Sequence, residues 1–147
     1  SLLNSKKTLV SSYFTFSITI RTCNWFGIDQ IICSTDSVDC YNSKVVQSSM
    51  GSLSFVNIIY TDLIQFTKKT NKKIFGTSLN SKSISDFSFQ NFDGILIFGS
   101  ESNGISENIK NEISDYISIP KINQNSSPDS LNLSISVSIF LSKIIGV

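Results

Sequence analysis

The chain has 147 residues, 40% hydrophobic and 16% charged, which suits one sizeable core and excludes a disordered segment or a charge-rich coiled coil. Twelve Lys+Arg against eleven Asp+Glu leave a formal charge of +1, so no strong field draws the chain to nucleic acid or membrane. Histidine is absent, which excludes His triads, His general bases and His metal sites; alanine is also absent, and Arg21 is the single arginine. Cys23, Cys33 and Cys40 fit neither a Cys-x-x-Cys pair nor a zinc spacing, and read as reduced thiols of a cytoplasmic protein. No apolar run approaches the roughly 20 residues of a membrane span. Residues 1–17, which begin without Met, are atypical and read as a truncated or mis-framed start to a single domain over 1–147.

The spacing of Ile18–Phe26 predicts a helix stopped at Gly27, and Asp29–Cys33 a short buried strand. A helix follows over Ser43–Leu53, capped by Ser43, then a strand over Phe55–Tyr60. Thr61 is expected to cap a helix to about Thr70, and Lys73–Leu79 to form a strand. Ile95–Phe98 is an apolar run introduced by Gly94 and closed by Gly99; Ser106–Ser114 carries a helix-capping pattern. Tyr116–Ile119 is a strand stopped by Pro120, Lys121–Asp129 a polar loop, and Ser130–Ile145 a closing amphipathic helix. This alternation predicts an α/β domain with a mostly parallel sheet and flanking helices. Ligands of such sheets bind beyond the carboxyl ends of strands, so the loops after Phe98, after Ile119 and before the first helix are the candidates.

Gly99-Ser-Glu-Ser-Asn-Gly104 has P-loop-like glycines, but Ile105-Ser106 stands where the lysine of that motif belongs. It reads as an ordinary strand-to-helix turn, except that Glu101 is a carboxylate costly to bury there without a task or partner. Ser130 is a plausible N-cap, while Asn132 is a poor residue just inside a helix. Arg21 is either a surface arginine with a packed stem or a functional cation retained where lysine carries every other positive charge. Lys68-Lys69 and Lys72-Lys73 either line an RNA backbone or complement a helix dipole.

Three segments in this order, IRTCNWFGID (Ile20–Asp29), ILIFGSESNGIS (Ile95–Ser106) and ISIPK…SLNLSISVSIFL (Ile117–Leu141), resemble the SpoU/TrmH-like family of SPOUT RNA ribose 2′-O-methyltransferases. YNSKVVQSSMGSL (Tyr41–Leu53) is similar to that family's helix after the second strand, and the resemblance extends over residues 18–147. It implies a SPOUT-like fold with a C-terminal trefoil knot, an exception to the rule against knots. It also implies S-adenosyl-L-methionine as cofactor, contacted at Gly99, Ile119 and Leu131, and a homodimer whose active site is completed across the interface. The implied substrate is a ribose 2′-hydroxyl of tRNA or rRNA, with no metal and no membrane partner. Arg21 matches the family's essential arginine, and Glu101, Ser130 and Asn132 are its implied catalytic companions. The family's Asn-x-Gly-x-x-x-Arg motif is not preserved: Thr15 and Ser17 occupy its Asn and Gly positions, and its upstream strand and loop find no match in SLLNSKKTLVSSYF. The alternative reading is a catalytically impaired RNA-binding homologue that keeps the fold, with or without cofactor binding.

Overall fold

The computed structural model describes residues 8–11, 16–90, 92–100, 103–123, 125 and 130–147. Six strands, β1 (Thr8–Ser11), β2 (Gln30–Ser34), β3 (Asn57–Thr61), β4 (Lys73–Ser83), β5 (Gly94–Phe98) and β6 (Asp115–Ser118), form one sheet in the order β3-β2-β1-β5-β4-β6. Every adjacent pair runs parallel. The helices are α1 (Phe16–Trp25), α2 (Ser43–Ser48), α3 (Leu63–Lys69), α4 (Glu107–Lys110) and α5 (Leu133–Ile145). The expected parallel α/β architecture is therefore present. The path on which the expected knot depends crosses residues 124 and 126–129, which lie outside the described residues.

The side chains alternate between two apolar clusters, one on each face of the sheet. Ile31, Cys33, Phe75, Leu96 and Phe98 join residues of α1, α2 and α5 on one face. Ile32, Ile74, Ile95 and Ile97 join Leu63, Ile105 and Ile109 on the other. Burial on both faces explains why β2 and β5 are continuous apolar runs and not alternating ones. On α5, Leu133, Val137, Phe140 and Leu141 are buried at helical spacing, and the Phe140 ring meets Phe98 edge-on at 5.5 Å.

One strand departs from expectation. No strand was predicted before Ile18, yet β1 lies in the middle of the sheet, paired with both β2 and β5, with Leu9 1% exposed. Its stability comes from ladders to distant segments, which a four-residue run cannot advertise locally. Helix starts also shift to stronger caps: Asn42 caps α2 and Asp62 caps α3, where Ser43 and Thr61 were expected. The predicted stop at Gly27 holds. Its φ of 66° allows Ile28 N–H to donate to Cys23 C=O at 2.8 Å, closing α1.

α2 is shorter than expected because Met50 (φ 51°) and Gly51 (φ 80°) turn left-handed before a 3-10 turn at Ser52–Ser54. The predicted Ser106–Ser114 helix contracts to the single turn of α4. β4, in contrast, runs beyond Leu79 to Ser83, with an irregularity: both Thr77 and Lys82 align with Ile117 of β6. Residues 78–81 therefore leave the ladder and return to it.

Candidate functional site

A cavity of about 370 Å³ opens at the carboxyl ends of β4, β5 and β6, under the start of α5. Thr77, Ser78 and Leu79 form one wall, Phe98–Ser100 and Gly104 another, and Ile117, Ile119, Ser130, Leu131, Leu133, Ser136 and Phe140 complete it. Gly99, Ile119 and Leu131, three positions from three separate segments, thus meet in one cavity, together with Ser130. No charged side chain is among the described lining residues. Charge on a ligand would be met by backbone groups and hydroxyls, while the apolar lining favours a flat, weakly polar body. Ser78 Oγ accepts from Asn80 N–H at 3.4 Å and Ser100 Oγ from Asn103 N–H at 2.9 Å, leaving each hydroxyl a proton to donate. In the 78–81 excursion behind this wall, Ser81 Oγ is buried with no partner among the described residues.

The turn after β5 is fixed by backbone contacts. Ser100 N–H donates to Gly104 C=O at 3.0 Å and Gly104 N–H to Ser100 C=O at 2.9 Å, pinching the loop shut. A Cβ on Gly99 would lie 2.3 Å from the Gly104 carbonyl carbon and 2.5 Å from the Ile105 nitrogen. Glycine is demanded there by the approach of two main chains, whatever binds above it. Glu101, inside this turn, lies outside the described residues.

Arg21 stands apart from the cavity. It projects from α1, exposed, with no hydrogen bond or ion pair among the described residues, into a separate groove of about 810 Å³. That groove is lined by Ile18, Thr22, Asn24, Trp25, Phe26, Met50, Ser52 and Ser138. Within one chain, then, the structure brings together the predicted cofactor residues and Ser130 but leaves Arg21 elsewhere. The two regions are joined through α1 and α5, whose Thr22 and Ser138 hydroxyls lie 3.5 Å apart.

Asn132 lies outside the helix rather than just inside it: it is the N-cap of α5, in place of the expected Ser130. Its Oδ1 accepts from Ser134 N–H at 3.0 Å and from the Ser134 hydroxyl at 2.6 Å. Cap geometry accounts for asparagine here, so its rarity in helix interiors is no argument at this position. Ser17 sits in the first turn of α1, and Met50 is the sole non-glycine residue with positive φ among the described residues, so serine meets no backbone penalty there. Thr15 lies outside the described residues.

Lys68 and Lys69 end α3 and Lys73 begins β4, so they belong to the amino end of the strands, away from the cavity, and Lys72 pairs with Asp93 at 2.6 Å. All three cysteines are free and buried. Burial, with the neighbouring thiols adding to it, pushes the Cys23 and Cys33 pKa values up from 9.0 to about 12. No helix among the described residues is long and apolar enough to cross a membrane.

The wall at Thr77–Leu79 went unrecognised in the sequence. Its one signal is the polar run Ser78, Asn80, Ser81 interrupting a segment that otherwise reads as strand.

Residues 16–142 match the model of the SpoU rRNA Methylase family. The chain is 28% identical over 134 residues to an uncharacterized tRNA/rRNA methyltransferase of Mycoplasma genitalium, covering 87% of this chain and 54% of that protein. It is 23% identical over 125 residues to the 23S rRNA (guanosine(2553)-2′-O)-methyltransferase of Bacillus subtilis, covering 83% of this chain and 49% of that one. The chain spans about half the length of these curated relatives. A TrmH-family structure from Porphyromonas gingivalis superposes with a TM-score of 0.82 at 31% identity, covering 95% of this chain and 59% of that one. An AdoMet-bound rRNA methyltransferase from Sinorhizobium meliloti shares the fold, with a TM-score of 0.83 at 22% identity and coverage of 97% and 57%.

Proposed function

The chain belongs to the SpoU rRNA Methylase family, and from that premise we propose that it binds S-adenosyl-L-methionine and methylates a ribose 2′-hydroxyl of tRNA or rRNA. The observation that carries this reading is the convergence of Gly99, Ile119 and Leu131 on one cavity at the carboxyl ends of β4, β5 and β6. The lining fits the cofactor: Phe98, Ile117, Ile119, Leu131 and Leu133 offer an apolar slot for a purine, and Ser78, Ser100, Ser130 and Ser136 ring it with hydroxyls. When bound, the cofactor supplies a methyl already activated on its sulfonium.

The residues of the chain align the ribose and ease loss of its proton. A guanidinium stays protonated, so Arg21 acts as a clamp on phosphate and on the alkoxide developing at the 2′-oxygen, rather than as the base. Glu101 positions Arg21 or the RNA. Ser130 holds the cofactor loop from the cavity wall. Asn132 is a positioning residue that acts through the α5 cap.

Because Arg21 and the cavity are separate within one chain, the reading includes a homodimer in which each Arg21 serves its partner's cavity. Its support is an exposed apolar face on the two adjoining helices, Ile18 on α1 with Ile135 and Ile139 on α5, at 53%, 52% and 36% exposure. The knotted path of the C-terminal segment belongs to the same proposal.

Calorimetric titration of S-adenosylmethionine into the chain tests this reading, with Leu131→Arg as control. Micromolar binding, abolished in the control, is the expected result, followed by transfer of labelled methyl to bulk tRNA or rRNA. No binding by a folded dimer would withdraw the enzyme assignment. A second reading, an RNA-binding homologue without transfer, is favoured by Thr15 and Ser17 at the family's Asn and Gly positions. Cofactor binding without methyl transfer would select it.

A further inference from the structure

We propose that a notch at the β3 edge of the sheet receives an arginine side chain of a partner polypeptide. The notch is a cavity of about 320 Å³, and none of its lining residues belongs to α1 or α5, so it lies outside the face assigned above to the second copy. Asp29, Tyr41 and Phe55 all line it. Tyr41 is 77% and Phe55 72% exposed, and neither ring meets another ring among the described residues. The Asp29 carboxylate has no hydrogen bond or ion pair among the described residues. Single exposed apolar residues are ordinary on a protein surface, but two rings and an unpaired carboxylate sharing one cavity form a binding arrangement.

The three groups sit on pinned backbone. Asn57 N–H donates to Asp29 C=O at 2.9 Å, tying the residue before β2 to the first residue of β3. The Tyr60 hydroxyl accepts from Cys40 N–H and donates to Val38 C=O, each at 2.8 Å, and Tyr41 N–H donates to the Asp39 carboxylate at 2.9 Å. Phe55 N–H donates to Ser52 C=O at 3.1 Å, closing the 3-10 turn. Little main-chain freedom is left to lose on binding.

Charge selects a cation over RNA. Residues 29–62 carry Asp29, Asp36, Asp39 and Asp62 against Lys44 alone, in a chain whose overall charge is +1. That local excess repels phosphates and attracts a basic group. A guanidinium is planar, lies flat on aromatic faces and donates paired N–H bonds to a carboxylate, so one arginine engages Tyr41, Phe55 and Asp29 together. The strand accounts for the polypeptide. β3 begins at Asn57 in the cavity lining and is an outer strand, paired with β2 alone among the described residues. Its other edge offers main-chain donors and acceptors to an extended segment.

The test uses the isotope-labelled chain and a blocked pentapeptide of threonine and valine with one central arginine. Millimolar peptide should shift the amide resonances of Asp29, Tyr41, Phe55 and Asn57 saturably, and less so at high salt. Citrulline, the neutral isostere, in place of arginine should weaken binding about threefold to tenfold, as should Asp29→Asn. Tyr41→Ala and Phe55→Ala should each weaken it about twofold to fivefold. Asp36→Asn, in the same acidic segment but outside the lining, should change affinity by less than about twofold. Unchanged resonances of Ile31 and Leu96 in the core report that each variant is folded, and the citrulline comparison stands without any variant. Equal binding of the citrulline peptide, or no shift at all, overturns the proposal. So do shifts of the same amides by single-stranded RNA that arginine peptide does not reverse, which would make RNA the occupant. Shifts that follow chain concentration without peptide would make it a second copy, and overturn the proposal equally.

Discussion

Replacing Gly99 by alanine should damage both the stability of the chain and the cavity proposed to hold the cofactor. The added Cβ meets main-chain atoms only, at 2.3 Å, 2.5 Å and 2.7 Å, so no side chain can swing aside and the Ser100–Gly104 pinch must open. Overpacking of this kind costs about 1–3 kcal/mol, and loss of the two pinching hydrogen bonds about 0.5–1.5 kcal/mol each, together about 2–6 kcal/mol. That is a large share of the about 5–15 kcal/mol that holds a typical domain together. Gly104→Ala is the matched comparison. Gly104 has a φ of 66° and open space around its Cβ position, so only the left-handed backbone term of about 1–2 kcal/mol applies. Urea unfolding of both variants reads the difference, and calorimetry reads cofactor affinity. A Gly99→Ala chain as stable as Gly104→Ala, with unchanged affinity, would refute the close-approach argument.

Four further outcomes are expected. Asn132→Ala removes the α5 cap and should cost about 1–2 kcal/mol in urea unfolding, with Asn132→Asp recovering most of it. Cys23 and Cys33 have thiol pKa values raised from 9.0 to about 12 on folding, so the native state binds more protons between those values. Their contribution is fully present below pH 9 and is lost as pH rises towards 12; the urea midpoint should fall across that window, less steeply in Cys23→Val. Thiol alkylation near pH 8 should be slow until denaturant is added. Substituting Lys68 and Lys69 together by alanine should leave RNA affinity within twofold in a filter-binding assay, since both lie at the amino ends of the strands.

Legibility in the sequence followed the range of the interactions. β5 and the turn after it were readable because a run of buried apolar residues between glycines is a local signal. α5 was readable from its spacing, although its start was misplaced: Asn132, two residues beyond Ser130, provides the cap. β1 was not readable because Thr8–Ser11 owes its strand state to Gln30–Cys33 on one side and Leu96–Phe98 on the other. The cavity wall at Thr77–Leu79 escaped for a related reason: it opens an excursion defined by where the strand rejoins β6, and only the fold supplies that partner. Of the candidate site, Gly99, Ile119 and Leu131 were singled out by the family resemblance and do line one cavity, but the distance of Arg21 from that cavity could not be read that way. Which helix face a residue occupies is local; which cavity that face overlooks is not.

The position of β1 makes a seam of those four residues. They alone join β3-β2 to β5-β4-β6, so without that ladder the sheet is two half-sheets, each with a bare inner edge. Their partners in β5 lie far along the chain, and the seam cannot close until Phe98 has been synthesised. Until then the β3-β2-β1 half-sheet waits with the far edge of β1 unpaired, the condition in which nascent strands recruit neighbours. Substitutions at Leu9 should therefore act first on the yield of folded chain, before any effect on the cavity on the far side of β5.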